Sequence, residues 1–165
     1  MKPVGVLFVC HANVCRSPLA EGVFRHMVDA AGRSADFRID SAGTYAMEGA
    51  GPHPNSCAVA SAHGIRLEGA SRQLLRDDLE RFDHILVMDR SNWRELERLA
   101  QPSAFGPLDG YPARIRLLLT VGDPDAREID VRDPIGRTVE AYEATYRLLE
   151  GACRRLLEEL TPTGG

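Results

Sequence analysis

In the stretch GVLFVCHANVCRSPLAEG, residues 5 to 22, Cys10 ends an apolar run, Cys15 and Arg16 follow a short link, and Ser17-Pro18 opens a segment with helical spacing. A thiol where a strand runs out, a guanidinium six positions later and a hydroxyl beside it suit one chemistry, phosphoryl transfer to sulfur. Strand, tight loop and helix N-terminus in succession make an anion site, because loop amides and the helix dipole aim positive potential at one point. Such a field, with a guanidinium beside it, favours the thiolate form of Cys10 over the thiol. Arg16 offers a planar fork for two equatorial oxygens of a phosphoryl group, and Ser17 can hydrogen-bond the sulfur and stabilise it as a leaving group. Five residues between Cys10 and Arg16 let the loop wrap a dianion, and Asn13 suits a loop position with positive φ. A lone cysteine at a strand end is more often an inert buried thiol; cysteine, five residues, arginine and serine between strand and helix is a far more specific pattern. Four residues separate Cys10 from Cys15, so the C-x-x-C spacing of a dithiol oxidoreductase is not met.

The elements that must carry these residues are legible as alternating patterns. Short apolar runs at Val4 to Val9, Phe37 to Ser41, His84 to Met88 and Arg116 to Leu119 read as buried strands. Helical spacing covers Ser17 to Ala30, with Ser17 as N-cap and Pro18 at the first helical position. It recurs in Pro54 to His63, ended by a left-handed Gly64, in Arg90 to Ala100, and in Thr138 to Leu160 with an apolar stripe from Val139 to Leu160. Alternating strands and helices predict an α/β fold, a three-layer sandwich with a central four-stranded parallel sheet and helices on both faces. Ligands gather at the carboxyl ends of such strands, where Cys10 sits.

At 165 residues and 44% hydrophobic, the chain can bury one core, and no linker-like stretch divides it, so residues 1–165 are expected to form a single domain with residues 161–165 as a frayed tail. The first apolar run is too short for a signal peptide, and no stretch approaches a membrane span, which points to a cytoplasmic protein. A net charge of −4 with dispersed basic residues argues against a nucleic-acid partner. Of 20 basic residues only Lys2 is a lysine, a bias that fits a GC-rich bacterial genome. Four cysteines without an export signal do not read as a disulfide framework, and no ligand spacing implies a metal; no cofactor is expected.

VLFVCHANVCRSPLAEGVFRHMV resembles the nucleophile segment of the low-molecular-weight protein tyrosine phosphatases, whose signature is a cysteine, five residues and an arginine followed by Ser-Pro. IDSAGT (39–44), HGI (63–65), SRQL (71–74), FDHILVMDRSNWREL (82–96) and RDPIG (132–136) follow in that family's order and spacing. The resemblance implies that Cys10 attacks phosphorus, that Arg16 and the loop residues His11, Ala12, Asn13, Val14 and Cys15 hold the phosphoryl group, and that Asp133 of the late Asp-Pro pair is the general acid. Asp123-Pro124, in a polar stretch, reads as an ordinary turn. The resemblance also places Asn13, Ser17 and Ser41 in a network supporting the loop, Asp89 after the third strand, and Cys15 as a thiol able to trap Cys10 in a disulfide. From the residues alone, Ser41 and Asp89 read equally well as a strand-end turn and a helix N-cap. Cys57 and Cys153 lie on apolar helix faces and are expected in the core.

Several positions depart from the family pattern. Ala12 stands where the loop usually has glycine, tolerable only at negative φ. Gly69 stands where the family has a histidine of the supporting network, and His63, which is not its equivalent, reads as structural. At the walls of the substrate slot, Met47 replaces an aromatic residue, with Tyr45 as a candidate substitute, and Ile135 and Gly136 replace aromatics after the Asp-Pro pair. His11 is expected to face solvent. Lost rings weaken the case for phosphotyrosine, because stacking on a phenyl ring contributes ~0.5–1.5 kcal/mol per contact; the apolar Val14 tilts it back, since the arginine-phosphatase relatives carry threonine there. The implied substrate is a tyrosine-phosphorylated protein, with a bacterial tyrosine kinase as one candidate, and the protein is expected as a monomer or weak dimer. The rivals are a phosphatase of another residue such as phosphoarginine, a thioredoxin-coupled arsenate reductase, disfavoured because Cys57 and Cys153 are far apart in sequence, and a catalytically weak phospho-binding module.

Overall fold

A computed structural model describes residues 1–101 and 105–163. Four parallel strands, β1 (Val4–Cys10), β2 (Phe37–Gly43), β3 (His84–Val87) and β4 (Arg114–Leu117), form one sheet in the order β2-β1-β3-β4. Side chains alternate across each strand, so β1 sends Val6, Phe8 and Cys10 to one face and Leu7 and Val9 to the other. The first face is covered by α1 (Arg16–Ala30), α2 (Pro54–Ala62) and α5 (Val139–Leu160), through Leu19, Phe24, Tyr142 and Leu149. The second is covered by α3 (Asp78–Arg81) and α4 (Arg90–Ala100), through Leu79 and Leu96. The expected three-layer α/β sandwich is therefore present. Phe8, Phe24 and Phe37 tie strands to α1 by edge-to-face contacts at 5.7 and 5.6 Å.

Three local expectations are corrected. The fourth strand runs Arg114–Leu117 rather than Arg116 to Leu119, and Leu118–Thr120 turn as a 3-10 helix that drops Leu118 and Leu119 into the α5-side core. The deciding pattern is Arg-Ile-Arg-Leu: Arg114 and Arg116 reach Glu159 at 3.2 and 2.9 Å, while Ile115 and Leu117 pack against the α4-side core. Helix α1 begins at Arg16 with Cys15 as N-cap and no capping side chain, because the Ser17 hydroxyl is drawn into the loop instead. Cys57 is half-buried rather than core, since α2 turns Ser56, Val59 and Ala60 inward, whereas Cys153 is fully buried. All four thiols are free. The helix α3 has only four residues, too few to show a period. Of the expected frayed tail, Thr161 still bonds back to α5 through its amide and hydroxyl, and residues 164–165 lie outside the described residues.

Candidate active site

The loop between β1 and α1 collects the residues singled out by chemistry. Asn13 adopts φ +57°, alone among the described non-glycine residues, so Ala12 keeps the negative φ that its methyl needs. The Asn13 carboxamide is oriented by its surroundings. Its Oδ1 accepts from the Arg72 backbone amide at 3.0 Å, so its Nδ2 donates, to Ser17 Oγ at 2.8 Å and Ser41 Oγ at 3.0 Å. With Ser17 Oγ accepting there, its hydroxyl hydrogen is free to point at Cys10 Sγ, 3.0 Å away. Ser41 in turn donates to Glu21 Oε1 at 2.7 Å. Asn13 is thus the branch point of a network that donates one way through Ser17 to the Cys10 sulfur and the other way through Ser41 to Glu21. Burial pushes the Glu21 carboxyl up from its ordinary value, against the pull of its Ser41 and Arg25 hydrogen bonds.

A second set converges on Arg16, which is 2% exposed. Its Nη1 donates to Asp89 Oδ2 at 2.6 Å and to the Val131 carbonyl at 2.9 Å. Its Nε is buried without a protein partner among the described residues, and its Nη2 lies 3.8 Å from Asp133 Oδ2. One nitrogen is therefore spent on holding the side chain, and the Nε–Nη2 edge faces away from those anchors as a two-pronged donor. Asp89 does two jobs, so the alternatives left by its sequence merge: its Oδ1 caps α4 by accepting from the Asn92 amide at 2.8 Å, completing a capping box, while its Oδ2 holds Arg16. Asp133 is exposed and accepts from the Ile135 amide at 3.1 Å. Its segment is pinned to the carboxyl end of β3, where the Val131 amide donates to the Met88 carbonyl at 2.8 Å, and to α4, where Arg90 grips Asp130 at 2.7 Å. Asp123 sits in a turn closed by the Ala126 amide.

The remaining expected residues are less gathered. Cys15 is buried under the loop with Sγ 3.6 Å from the Tyr142 hydroxyl, and burial pushes its thiol up, partly offset by that bond. The Val14 carbonyl accepts from the His53 amide at 2.8 Å. His11 is exposed as expected, yet its ring meets that of Tyr45 at 5.4 Å. Met47 and Ile135 are exposed on separate loops; Met47 belongs to neither network, and Ile135 joins only through its amide to Asp133. His63 stacks on Tyr146 at 3.8 Å, the structural role expected of it, and around Gly69 a Cβ would meet no atom within 4 Å. Among the described residues no group of three His, Cys, Asp or Glu is placed to hold a metal ion. Sequence reasoning missed Glu21, the Arg72 amide, the Val131 carbonyl and Tyr142. Only Glu21 had a usable signal, since it lies four residues after Ser17 on the same helix face.

Comparison with known proteins agrees with this geometry. The family described as low molecular weight phosphotyrosine protein phosphatase matches residues 5–163. A low molecular weight phosphotyrosine protein phosphatase of Pongo abelii is 37% identical over 155 residues, covering 93% of this chain and 94% of its own length. The structure of YfkJ from Bacillus subtilis superposes with TM-score 0.84 at 31% identity, over 97% of this chain and 96% of that one. A Drosophila arginine phosphatase superposes with TM-score 0.82 at 28% identity, over 96% and 99% of the two chains.

Proposed function

The chain belongs to the low molecular weight phosphotyrosine protein phosphatase family and is a cysteine-dependent phosphatase, and from that premise we propose which of its residues carry the reaction. Cys10 attacks phosphorus in line as the thiolate, and the Ser17 hydroxyl, already aimed at the sulfur, stabilises it. The free edge of Arg16 and the amides at the start of α1 hold the equatorial oxygens, whose charge they match best in the transition state. Asp133 gives its proton to the departing phenolic oxygen, leaving phosphate on sulfur. As a carboxylate it then takes a proton from water, which attacks phosphorus, breaks the P–S bond, releases inorganic phosphate and returns Cys10 to thiolate. Asn13 and Ser41 hold the loop, while Tyr45, Met47, Asp89 and Ile135 surround the entrance.

The observation that carries this assignment is the state of Arg16: one nitrogen is fixed by Asp89 and Val131, and on the opposite edge Nε has no partner among the described residues while Nη2 lies 3.8 Å from Asp133. The substrate is a tyrosine-phosphorylated protein, with a bacterial tyrosine kinase as one candidate, met in the cytoplasm, where four unpaired thiols persist. The chain acts as one domain, a monomer or weak dimer. The deciding experiment is turnover of p-nitrophenyl phosphate without added metal at mildly acidic pH. Cys10→Ser should abolish it, and Asp133→Ala should lower kcat by ~10²–10⁴-fold. Full activity in Cys10→Ser would overturn the assignment. Phosphoarginine removed faster than phosphotyrosine would move this chain toward the arginine phosphatase named among its structural relatives.

A further inference from the structure

Tyr45 is a large ring left 61% exposed on a loop, yet its backbone is held from both sides. On one side the Thr44 amide donates to the Cys10 carbonyl at 2.9 Å and the Tyr45 amide to the His11 carbonyl at 2.8 Å, so the loop that carries the nucleophile also carries this ring. Gly43 permits that approach, because a Cβ there would stand 2.6 Å from the His11 oxygen. On the other side lies Gln73. Its Nε2 donates to the Thr44 carbonyl at 2.8 Å and its Oε1 accepts from the Ala46 amide at 2.9 Å, one carboxamide bracketing Tyr45 as a neighbouring strand would. Gln73 is itself fixed, since its amide donates to Glu48 at 2.7 Å and it bridges to Gly43 at the end of β2.

An exposed ring set rigidly beside an anion cradle has one obvious use. A ring whose backbone is already ordered loses little conformational freedom when another ring stacks on it. Met47, two residues further along this loop, is 82% exposed and presents no flat face. We infer that Gln73 is a positioning residue, whose side chain holds Tyr45 as the aromatic wall of the slot and so sets a preference for aryl over alkyl phosphoryl groups. This inference rests on the phosphatase reading above and adds to it the residue that makes the slot selective. The His11 ring lies against that of Tyr45, with centroids 5.4 Å apart.

The test compares KM and kcat for p-nitrophenyl phosphate, and inhibition constants for phenylphosphonate and methylphosphonate, across wild type, Tyr45→Ala, Tyr45→Phe, Gln73→Ala and the double variant Tyr45→Ala/Gln73→Ala. Tyr45→Ala should raise KM and the phenylphosphonate constant by about threefold to tenfold, the range of one good stacking contact, with kcat moving much less. The methylphosphonate constant should stay put, and Tyr45→Phe should restore the phenyl preference that Tyr45→Ala loses. Gln73→Ala should reproduce the Tyr45→Ala pattern and add less than about twofold on top of it, because residues acting through one contact are not additive. A Gln73→Ala effect that persists in the Tyr45→Ala background, or one that weakens both phosphonates alike, would overturn the inference. Wild-type protein that neither turns over the aryl phosphate nor binds either phosphonate would sink the phosphatase reading, and the clamp with it.

Discussion

Each atom in the chain from Glu21 to Cys10 has its donor or acceptor role fixed from an end: the Arg72 amide can only donate, and a Glu21 carboxylate can only accept. Glu21 therefore sets the direction of the hydroxyl at Ser41, and the Arg72 amide, through Asn13, the one at Ser17. Glu21 also makes stability depend on pH. Burial raises its pKa in the folded state, so the fold binds the Glu21 proton over a window just above the ordinary glutamate value where the unfolded chain has lost it. That contribution is complete below the unfolded pKa and is lost as pH rises through the folded one. Denaturant titrations across this window should show wild type losing stability with rising pH, and Glu21→Gln, which keeps an oxygen for Ser41, should lack that slope. Cys10, Arg16 and Ser17 were legible because their spacing is local and their side chains act directly. The Arg72 amide and the Val131 carbonyl were not, since a backbone group has no side-chain identity to read, and its partner is set by tertiary approach.

At the scale of elements, α4 and the Asp133 segment share anchors. Asp89 uses one oxygen for the helix and the other for Arg16, which allows the two roles to be separated. Asn92→Ala removes half of the capping box and should cost about 1 kcal/mol in chemical denaturation while kcat stays within about twofold. Asp89→Ala should cost several kcal/mol, because it uncaps α4 and also leaves a buried guanidinium short of its partner, and kcat should fall at least tenfold. Equal losses of activity in the two variants would show that the cap, rather than the ion pair, orients Arg16. The strand boundaries show what periodicity misses. Leu118 and Leu119 extend an apolar run, and so attracted the strand assignment, but the alternation of Arg114 and Arg116 with Ile115 and Leu117 marks the true pairing. At the start of α1, Ser17 has the residue type of a cap, and tertiary hydrogen bonds outbid that local preference.

For the whole molecule, the sheet divides two apolar cores, and the β1–α1 loop sits at the carboxyl end of a central strand. That arrangement followed from the order of strands and helices, because parallel pairing needs crossover helices and buries both faces. Helix α1 is fifteen residues long, packs along α5, and starts without a capping side chain, so its leading amides are available to an oxyanion. If phosphate binds there, as the proposed assignment requires, the phosphate released in each turnover is also a folding ligand, and the global stability of the protein reads out site occupancy. By mass action, phosphate at about a hundred times its dissociation constant stabilises the fold by ~2.7 kcal/mol, enough to move Tm upward by several degrees for a chain of this size. Scanning calorimetry in phosphate against equal ionic strength of chloride should show that rise, and Arg16→Ala should lose it. A cell rich in inorganic phosphate would then hold this enzyme partly inhibited and better folded at the same time, with substrate arriving in competition with the ion that protects the fold.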